Sequence, residues 1–292
     1  MTPHDYDYLR KSLKERSGLM LSADKQYLVE SRLLPVARRA GLGNLSELVT
    51  ALKRDNAAAL MTAVVEAMTT NETFFFRDKT PFEHFRTTII PALMGSRSNS
   101  RCLRIWCAAA STGQEPYSLA ISLKEMGAQF EDWRIDILAT DLSNEVLERA
   151  RQGIYSQFEV QRGLPIQMLV KYFTQTGDMW QAVPEIRSMV QFHKLNLLSD
   201  FSHLGWFDLI FCRNLLIYFD QQTKIDMLDR LARVVAHDGY LILGASETVL
   251  GLTDRFKALP DKRGVYVHNI EAAKLKSPAA VKPHLVAVGG SR

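Results

Sequence analysis

The sequence predicts an α/β fold in which a parallel sheet with helices on its faces follows a group of short helices. From residue 103 onwards, short apolar runs alternate with segments of helical periodicity, whereas residues 1–68 show helical periodicity alone. A third observation is a break in this alternation, where nearly forty residues separate Arg151 from the strand at Val190. That span is too long for a plain connection, so we expect a small antiparallel subdomain there, built from residues 180–183 and 189–192.

The N-terminal helices are expected to form a small bundle with a basic surface. Leu45, Leu48, Val49 and Leu52 share one face of a helix, which is the pattern of a segment packed on one side. Residues 1–54 carry ten Lys and Arg against six Asp and Glu, so the formal net charge of +4 arises in this segment. The basic surface is either a solvated face or a means of steering an acidic partner.

A strand, a tight turn and a helix follow one another over residues 103–126. The apolar strand leads into small residues at 108–113, and Pro116 then suits the start of a helix because its missing N–H is unpaired there anyway. Small side chains in such a turn let a ligand approach the backbone and the positive end of the helix. We expect a cofactor to bind here.

Further strands are predicted at residues 134–140, 190–193, 207–212, 240–243 and 264–268. No helical pattern follows the last of these strands, which makes it a candidate antiparallel addition. Ligands of open parallel sheets bind at the carboxyl ends of the strands. The polar residues at those ends are therefore candidates: Glu115, Asp141, Asn196, Arg213 and Asn214. Asn71, Thr73 and Arg77 precede the sheet, at a domain junction of the kind where ligands often bind.

Asp141 narrows the choice of cofactor. A carboxylate that ends the second strand is placed to accept both ribose hydroxyls of an adenosine, which suits NAD as well as S-adenosylmethionine. However, the turn lacks Gly-x-Gly-x-x-Gly, and the chain has no Gly-x-x-x-x-Gly-Lys-[Ser/Thr]. A pyrophosphate needs glycine amides at close range, whereas a nucleoside without phosphate does not. These residues favour S-adenosylmethionine and a methyltransferase.

Composition excludes several other classes. The three cysteines form no Cys-x-x-Cys pair and no His-Glu-x-x-His is present, so we expect neither a disulfide framework nor a metal site. No apolar run approaches the ~18 residues of a membrane span, and the N-terminus lacks the features of a signal peptide. We expect a cytoplasmic protein without membrane insertion, and a tail over residues 271–292 that is disordered.

Five segments resemble the CheR family of chemotaxis receptor methyltransferases, in the same order along the chain. Two of them are long enough to be specific, and the resemblance extends over about residues 6–270. The segments are residues 70–77 (TNETFFFR), 106–118 (WCAAASTGQEPYS), 139–141 (ATD), 196–198 (NLL) and 211–220 (FCRNLLIYFD).

The resemblance implies transfer of methyl from S-adenosylmethionine to glutamate side chains of methyl-accepting chemotaxis receptors, leaving S-adenosylhomocysteine. It implies a helical domain over residues 1–70, a cofactor-contacting linker over 71–90, and a Rossmann-like methyltransferase domain over 91–270 with a β-subdomain at 155–192. It also implies roles for named residues. Arg77 and Tyr218 are the implied catalytic residues, and the implied cofactor ligands are Asn71, Thr73, Arg77, Glu115, Asp141, Asn196, Leu197, Arg213 and Asn214.

The expected partners are the cytoplasmic helices of the receptors, in some family members joined by a receptor C-terminal peptide at the β-subdomain. We expect a monomer. Two alternatives stay open at this point, a methyltransferase acting on nucleic acid and a cofactor-sensing protein without turnover. The first is disfavoured by the modest charge and by the lack of an Asn-Pro-Pro-Tyr motif.

Overall fold

The computed structural model describes residues 1–269, and the tail expected over residues 271–292 lies outside them. The N-terminal region consists of α1 (Pro3–Ser17), α2 (Gln26–Arg39), α3 (Leu45–Leu52) and α4 (Ala58–Met68). Side chains from all four helices form one apolar core that includes Leu9, Leu33, Leu48 and Val64. Thr2 caps α1 through the backbone N–H of Asp5, whose carboxylate in turn accepts from Thr2. The predicted helical bundle is confirmed.

Residues 80–96 are helical, which corrects the linker expected over residues 71–90. They form α5 (Thr80–His84), a π-helical turn (Phe85–Ile89) and α6 (Ile90–Ser96). Pro81 stands in the first turn, where it costs no hydrogen bond. The side chains of Phe82, Phe85 and Leu93 enter the core beneath the sheet. Irregular backbone in the linker is therefore confined to residues 69–79.

The remaining chain alternates strands and helices. In chain order the elements are β1 (Cys102–Cys107), α7 (Gln114–Glu125), β2 (Arg134–Asp141), α8 (Asn144–Gln152), β3 (Ile154–Ser156), α9 (Gln157–Gln161), α10 (Ile166–Tyr172), β4 (Phe173–Thr176), β5 (Met179–Ala182), α11 (Pro184–Arg187), β6 (Val190–Lys194), β7 (Phe207–Cys212), α12 (Gln221–Val234), β8 (Val235–Leu243), β9 (Phe256–Ala258) and β10 (Val265–His268).

Seven strands form the large sheet in the order β6-β2-β1-β7-β8-β10-β9. The first five are mutually parallel, whereas β10 pairs antiparallel with both β8 and β9. The antiparallel addition predicted at residues 264–268 is thus confirmed, and so is the α/β class. Strand β9 was not predicted, because three residues are too few to show a period.

The small sheet has the antiparallel order β3-β5-β4. Residues 180–183 were expected to contribute to it, and β5 does so. Residues 189–192 were placed there wrongly, since β6 is the edge strand of the large sheet and pairs with β2. Val190 and Phe192 are buried against the helices that cover β2, so the same alternation serves a different sheet. The last strand of the small sheet therefore ends at Ala182, within the insertion expected over residues 155–192.

Helix α7 begins at Gln114, two residues earlier than Pro116 suggested. Gly113 immediately precedes the helix with a left-handed φ of 93°, a conformation that glycine adopts without strain. A Cβ at Gly113 would lie 3.0 Å from the Cβ of Ala150 and 3.1 Å from the hydroxyl of Tyr155. Glycine therefore allows the turn to lie close to α8 and the β-subdomain.

Arg97 ties the end of α6 to the large sheet. Its Nε donates to Asp208 at 2.7 Å, and its two terminal nitrogens donate to both oxygens of Asp238 at 2.8 and 2.6 Å. These bonds lower the pKa of Asp238 to about 2. Because the pKa of this carboxyl is lowered in the folded protein, its stabilising contribution is fully present above the ordinary pKa of an aspartate. The contribution is lost as the pH falls from that ordinary pKa towards about 2.

We therefore expect Asp238→Asn to lower the free energy of unfolding by about 1 kcal/mol near pH 7, because Asp238 is half-exposed and bidentate pairs are at the upper end for exposed sites. The difference from wild type should shrink below about pH 4. Urea denaturation at both pH values measures this. Asp132→Asn, which breaks an exposed pair with Arg101, is the control. An equal loss at both pH values would contradict the assignment.

Candidate active site

A cleft lies where the carboxyl ends of β1, β2, β6 and β7 face the N-terminal helices. Every site residue that was named from the sequence lines this one cleft. They are Asn71, Thr73, Arg77, Glu115, Asp141, Asn196, Leu197, Arg213, Asn214 and Tyr218.

Asp141 is held rigidly at the end of β2. One carboxylate oxygen accepts from the backbone N–H of Ser111 at 2.9 Å, and the other accepts from that of Ser143 at 3.0 Å. Burial raises the pKa of Asp141, and these N–H donors oppose the rise. Each oxygen keeps a further lone pair for a ligand. Helix α8 is capped separately, by Ser143 through the N–H of Val146, so Asp141 is not needed as its cap.

Glu115 and Arg213 form a buried ion pair on the floor of the cleft. The Nη1 of Arg213 donates to Glu115 Oε2 at 2.7 Å, and the side chain of Arg213 is only 1% exposed. Burial raises the pKa of the Glu115 carboxyl, and the neighbouring guanidinium opposes that rise. The Nε of Arg213 is buried without a hydrogen-bond partner.

Arg213 also fixes the backbone of the linker. Its Nη2 donates to the carboxylate of Asp78 at 2.6 Å and to the carbonyl of Arg77 at 3.0 Å. Phe76, Asp78 and Lys79 have φ angles of 52°, 68° and 49°, in the left-handed region that is unfavourable for these residue types. Such strain persists only where neighbouring groups determine the conformation. Asp78 was not predicted, because its partner lies 135 residues away.

Asn214 also has a left-handed backbone conformation, with a φ of 55°. The carboxylate of Glu247 accepts from the backbone N–H groups of Asn214, Leu215 and Gly244 at 2.6 to 2.8 Å. A Cβ at Gly244 would lie 2.7 Å from that carboxylate, so glycine is required for the approach. Glu247 thus determines the loop that presents Asn214 to the cleft. The sequence did not predict Glu247 as a site residue, because it does not directly follow β8.

The N-terminal helices close the cleft from one side. Asn196 Nδ2 donates to the carbonyl of Arg16 at 2.7 Å, and the N–H of Met20 donates to the carbonyl of Tyr218 at 2.9 Å. Ser17 and Leu19 line the cleft between these two contacts, and neither was predicted. No pattern marks them, because they enter the site only when the two parts of the chain pack together.

Two family models match the chain in succession. The CheR methyltransferase all-alpha domain matches residues 4–69, and the CheR methyltransferase SAM binding domain matches residues 71–265. The chain belongs to the CheR methyltransferase family. It is a methyltransferase that uses S-adenosylmethionine.

Relatives from three bacteria agree with this placement in the CheR family. The chain is 40% identical over 272 residues to chemotaxis protein methyltransferase Cher2 of Pseudomonas putida, covering 89% of this chain and 96% of that one. It is 40% identical over 269 residues to chemotaxis protein methyltransferase 1 of Pseudomonas aeruginosa, with the same coverage. Against chemotaxis protein methyltransferase 1 of Vibrio cholerae it is 37% identical over 268 residues, covering 91% and 96%.

The donor set of the cleft fits S-adenosylmethionine. The carboxylate of Asp141 has lone pairs for two ribose hydroxyls, and that of Glu115 has an oxygen free for an ammonium group. Ala108 and Ala109 leave the turn open, and Leu197 gives the wall an apolar surface. Among residues 1–269, no group of three or more His, Cys, Asp or Glu could hold a metal ion.

Proposed function

We propose that this CheR-family enzyme methylates glutamate side chains on the cytoplasmic helices of chemoreceptors, giving glutamate methyl esters and S-adenosylhomocysteine. The observation that carries the proposal is that one cleft is lined both by Asp141 and by Arg77, whose guanidinium forms no ion pair among residues 1–269. The first suits the cofactor and the second suits a substrate carboxylate. The relatives named chemotaxis protein methyltransferases support the choice of substrate.

The reaction asks little proton chemistry of the protein. A glutamate side chain has an ordinary pKa of about 4.3, so it is an ionised nucleophile at neutral pH. S-adenosylmethionine supplies an activated methyl group on its sulfonium. The remaining task is alignment, which contributes roughly 7–11 kcal/mol in the best intramolecular cases. The cleft is suited to alignment because hydrogen bonds fix its walls on three sides.

We assign the orientation of the substrate carboxylate to Arg77. Its guanidinium lies in the cleft and, among residues 1–269, has no carboxylate within ion-pairing distance, so its charge is available to a substrate. A charge-assisted contact would direct one oxygen of the glutamate while damping the nucleophilicity of that oxygen. Tyr218 lines the same cleft and is the second residue that we place near the transferred methyl.

The proposed division of labour follows the chain. Residues 1–70 dock the receptor, the irregular linker at residues 71–79 contacts the cofactor and substrate, and the following residues to 270 bind the cofactor, with the β-subdomain inserted. A receptor C-terminal peptide has a candidate site at the small sheet. There β4 is an edge strand, beside which an extended peptide could pair as an added strand. A monomer in the cytoplasm is part of the same proposal. Within residues 1–269, every helix is too short or too polar to span a membrane.

The proposal is tested by incubating the protein with S-adenosylmethionine labelled in the methyl group, together with receptor cytoplasmic fragments or nucleic acid. We expect label on the receptor fragment that mild base releases, as an ester requires. Label on nucleic acid, or cofactor binding without transfer to any fragment, would overturn the proposal. A receptor fragment whose glutamates are replaced by glutamine is the matched substrate control.

The basic surface of the N-terminal helices gives a prediction about docking. Arg38 and Arg39 are exposed in the last turn of α2, a helix whose Arg32 reaches the linker at the carbonyl of Met68. Reversing both charges is expected to lower kcat/KM on the order of tenfold at low salt and to abolish its salt dependence, because steering by surface charge is screened by ions. Steady-state kinetics over a range of salt concentrations measures this.

Charge reversal at Lys257 and Arg233, two exposed residues of β9 and α12, is the control for net charge. It should leave the salt dependence as in the wild type. If both double variants changed the salt dependence equally, only net charge would matter and the docking role of α2 would be wrong.

A further inference from the structure

The β-subdomain touches the linker directly beside Arg77. The Nη2 of Arg162, in the loop after α9, donates to the carboxylate of Glu72 at 2.7 Å. The guanidinium of Arg162 also lies over the ring of Phe74, 4.4 Å from its centroid. The guanidinium of Arg77 lies 5.6 Å from the centroid of the same ring. One aromatic ring therefore contacts both arginines, within the distance of a cation–π interaction.

At Gly163, the backbone of the β-subdomain lies directly against the linker. A Cβ at Gly163 would lie 2.0 Å from the carbonyl oxygen of Phe75 and 3.2 Å from the ring of Phe74. Gly163 has a φ of 90°, so both its conformation and its surroundings require glycine. Arg162 therefore meets the linker from a fixed backbone position.

The ends of the linker are anchored by other groups. Arg32 donates to the carbonyls of Met68 and Thr69, and Ser111 donates to that of Asn71. At the far end, Arg213 holds the carbonyl of Arg77. These bonds fix the backbone on either side of residues 72–74. They do not contact the guanidinium of Arg77.

That guanidinium is fixed by the middle of the linker. The Nη1 of Arg77 donates to the carbonyl of Glu72 at 2.8 Å, and its Cζ lies over the ring of Phe74. Both residues that orient Arg77 are thus residues that Arg162 contacts, Glu72 through its carboxylate and Phe74 through its ring. We propose that Arg162 and Glu72 act as positioning residues for Arg77, so that the β-subdomain determines the direction in which the catalytic guanidinium points. This rests on the proposed role of Arg77.

The pairing also separates the two arginines chemically. Glu72 is exposed and pairs with Arg162, whose hydrogen bond lowers the pKa of the Glu72 carboxyl. Arg162 is thereby neutralised, whereas Arg77 has no carboxylate within ion-pairing distance among residues 1–269. An incoming carboxylate consequently meets one free cation rather than two. Loss of Glu72 would leave Arg162 to compete with Arg77 for the substrate.

The test is a double-mutant cycle on the full-length enzyme with a receptor fragment. Arg162→Ala is expected to lower kcat on the order of five- to tenfold with unchanged affinity for S-adenosylmethionine, since it removes one ion pair and one cation–π contact. In the Arg77→Ala background the same substitution should have no further effect, because Arg162 acts through Arg77. The charge swap Glu72→Arg with Arg162→Glu should restore most of the lost kcat.

Lys171→Ala is the matched control. It breaks another exposed ion pair between the β-subdomain and the rest of the chain, to Glu125 at 2.6 Å, without touching the linker. We expect its kcat and thermal midpoint to match those of wild type. Should Arg162→Ala and Lys171→Ala lower kcat and the thermal midpoint together, the effect of Arg162 would be structural and the proposal would fail.

The cycle also distinguishes this proposal from the role of Arg77. Additive losses in the double variant would overturn the positioning role, since Arg162 would then act on the substrate by itself. An Arg77→Ala enzyme with wild-type kcat would instead overturn the role of Arg77. A slow Arg77→Ala enzyme with an unaffected Arg162→Ala enzyme would refute only the positioning role.

Discussion

Asp141→Ala is expected to weaken the binding of S-adenosylmethionine by about a hundredfold or more, while the protein keeps its fold. Two hydrogen bonds from ribose hydroxyls to a carboxylate are each worth about 1.5–3 kcal/mol, and about 1.4 kcal/mol corresponds to a factor of ten. Alanine removes both bonds, because its methyl group offers no acceptor. Isothermal titration calorimetry measures the dissociation constant directly.

The variant must be separated from a general loss of structure. Asp141 also accepts from the N–H groups of Ser111 and Ser143, so Asp141→Ala should cost stability of about 1–3 kcal/mol. Asp136→Ala, on the same strand and away from the cleft, is the control and should bind the cofactor as wild type does. Unchanged affinity in a folded Asp141→Ala protein would refute the ribose contact.

The same residue predicts a pH dependence. Burial raises the pKa of Asp141, and the ionised carboxylate is the form that accepts two hydroxyl donors. Affinity for S-adenosylmethionine should therefore fall on acidification, beginning at a higher pH than the ordinary value of 3.8 would give. Asp141→Asn should bind weakly at all pH values and lack this acid limb.

Residues at strand ends could be predicted because two local signals coincide there. An apolar run marks the strand, and a polar residue at its carboxyl end faces the ligand side of a parallel sheet. Asp141 and Arg213 are of this kind, and the structure places both at the cleft. Residue patterns alone named these positions as candidates, while the role of Tyr218 came from family resemblance. That phenol follows no strand directly.

Residues that act through distant partners could not be predicted. Asp78 matters because Arg213 approaches it, and Glu247 matters because the loop at Asn214 folds over it. Neither contact produces a periodic pattern of residues in the sequence. Strand β6 shows the same limit, because alternation predicts a strand without naming its neighbour.

The helix over residues 80–96 is a different case, since its signal was present. Phe82, Phe85 and Leu93 recur at helical spacing and all enter the core. Three consecutive aromatics at residues 74–76 directly precede this segment, and their apolar run masks its helical period. Of these three aromatics only Phe75 is fully buried, and it packs the linker against Tyr155 and Phe173 of the β-subdomain.

Arg77→Ala is expected to lower the rate of methyl transfer roughly a hundredfold or more, with the dissociation constant of S-adenosylmethionine changed far less. Removing one preorganised donor that acts on a reacting group typically costs about 10²–10³ in rate. Arg77 is suited to such a role, because its backbone is held by Arg213 and its guanidinium by Glu72 and Phe74. Single-turnover kinetics with saturating receptor fragment measures the rate, and calorimetry measures cofactor affinity.

Arg77→Lys separates charge from geometry in this prediction. A lysine keeps the positive charge but presents a point charge in place of a planar fork, so it should recover only part of the rate. Arg86→Ala removes an exposed guanidinium from the helix that follows the linker and should behave as wild type. A loss of cofactor affinity in Arg77→Ala with an unchanged single-turnover rate would reverse the assignment, because Arg77 would then serve the cofactor. The opposite outcome would place a substrate carboxylate at the guanidinium, where alignment alone accelerates a reaction between an ionised oxygen and an activated methyl group.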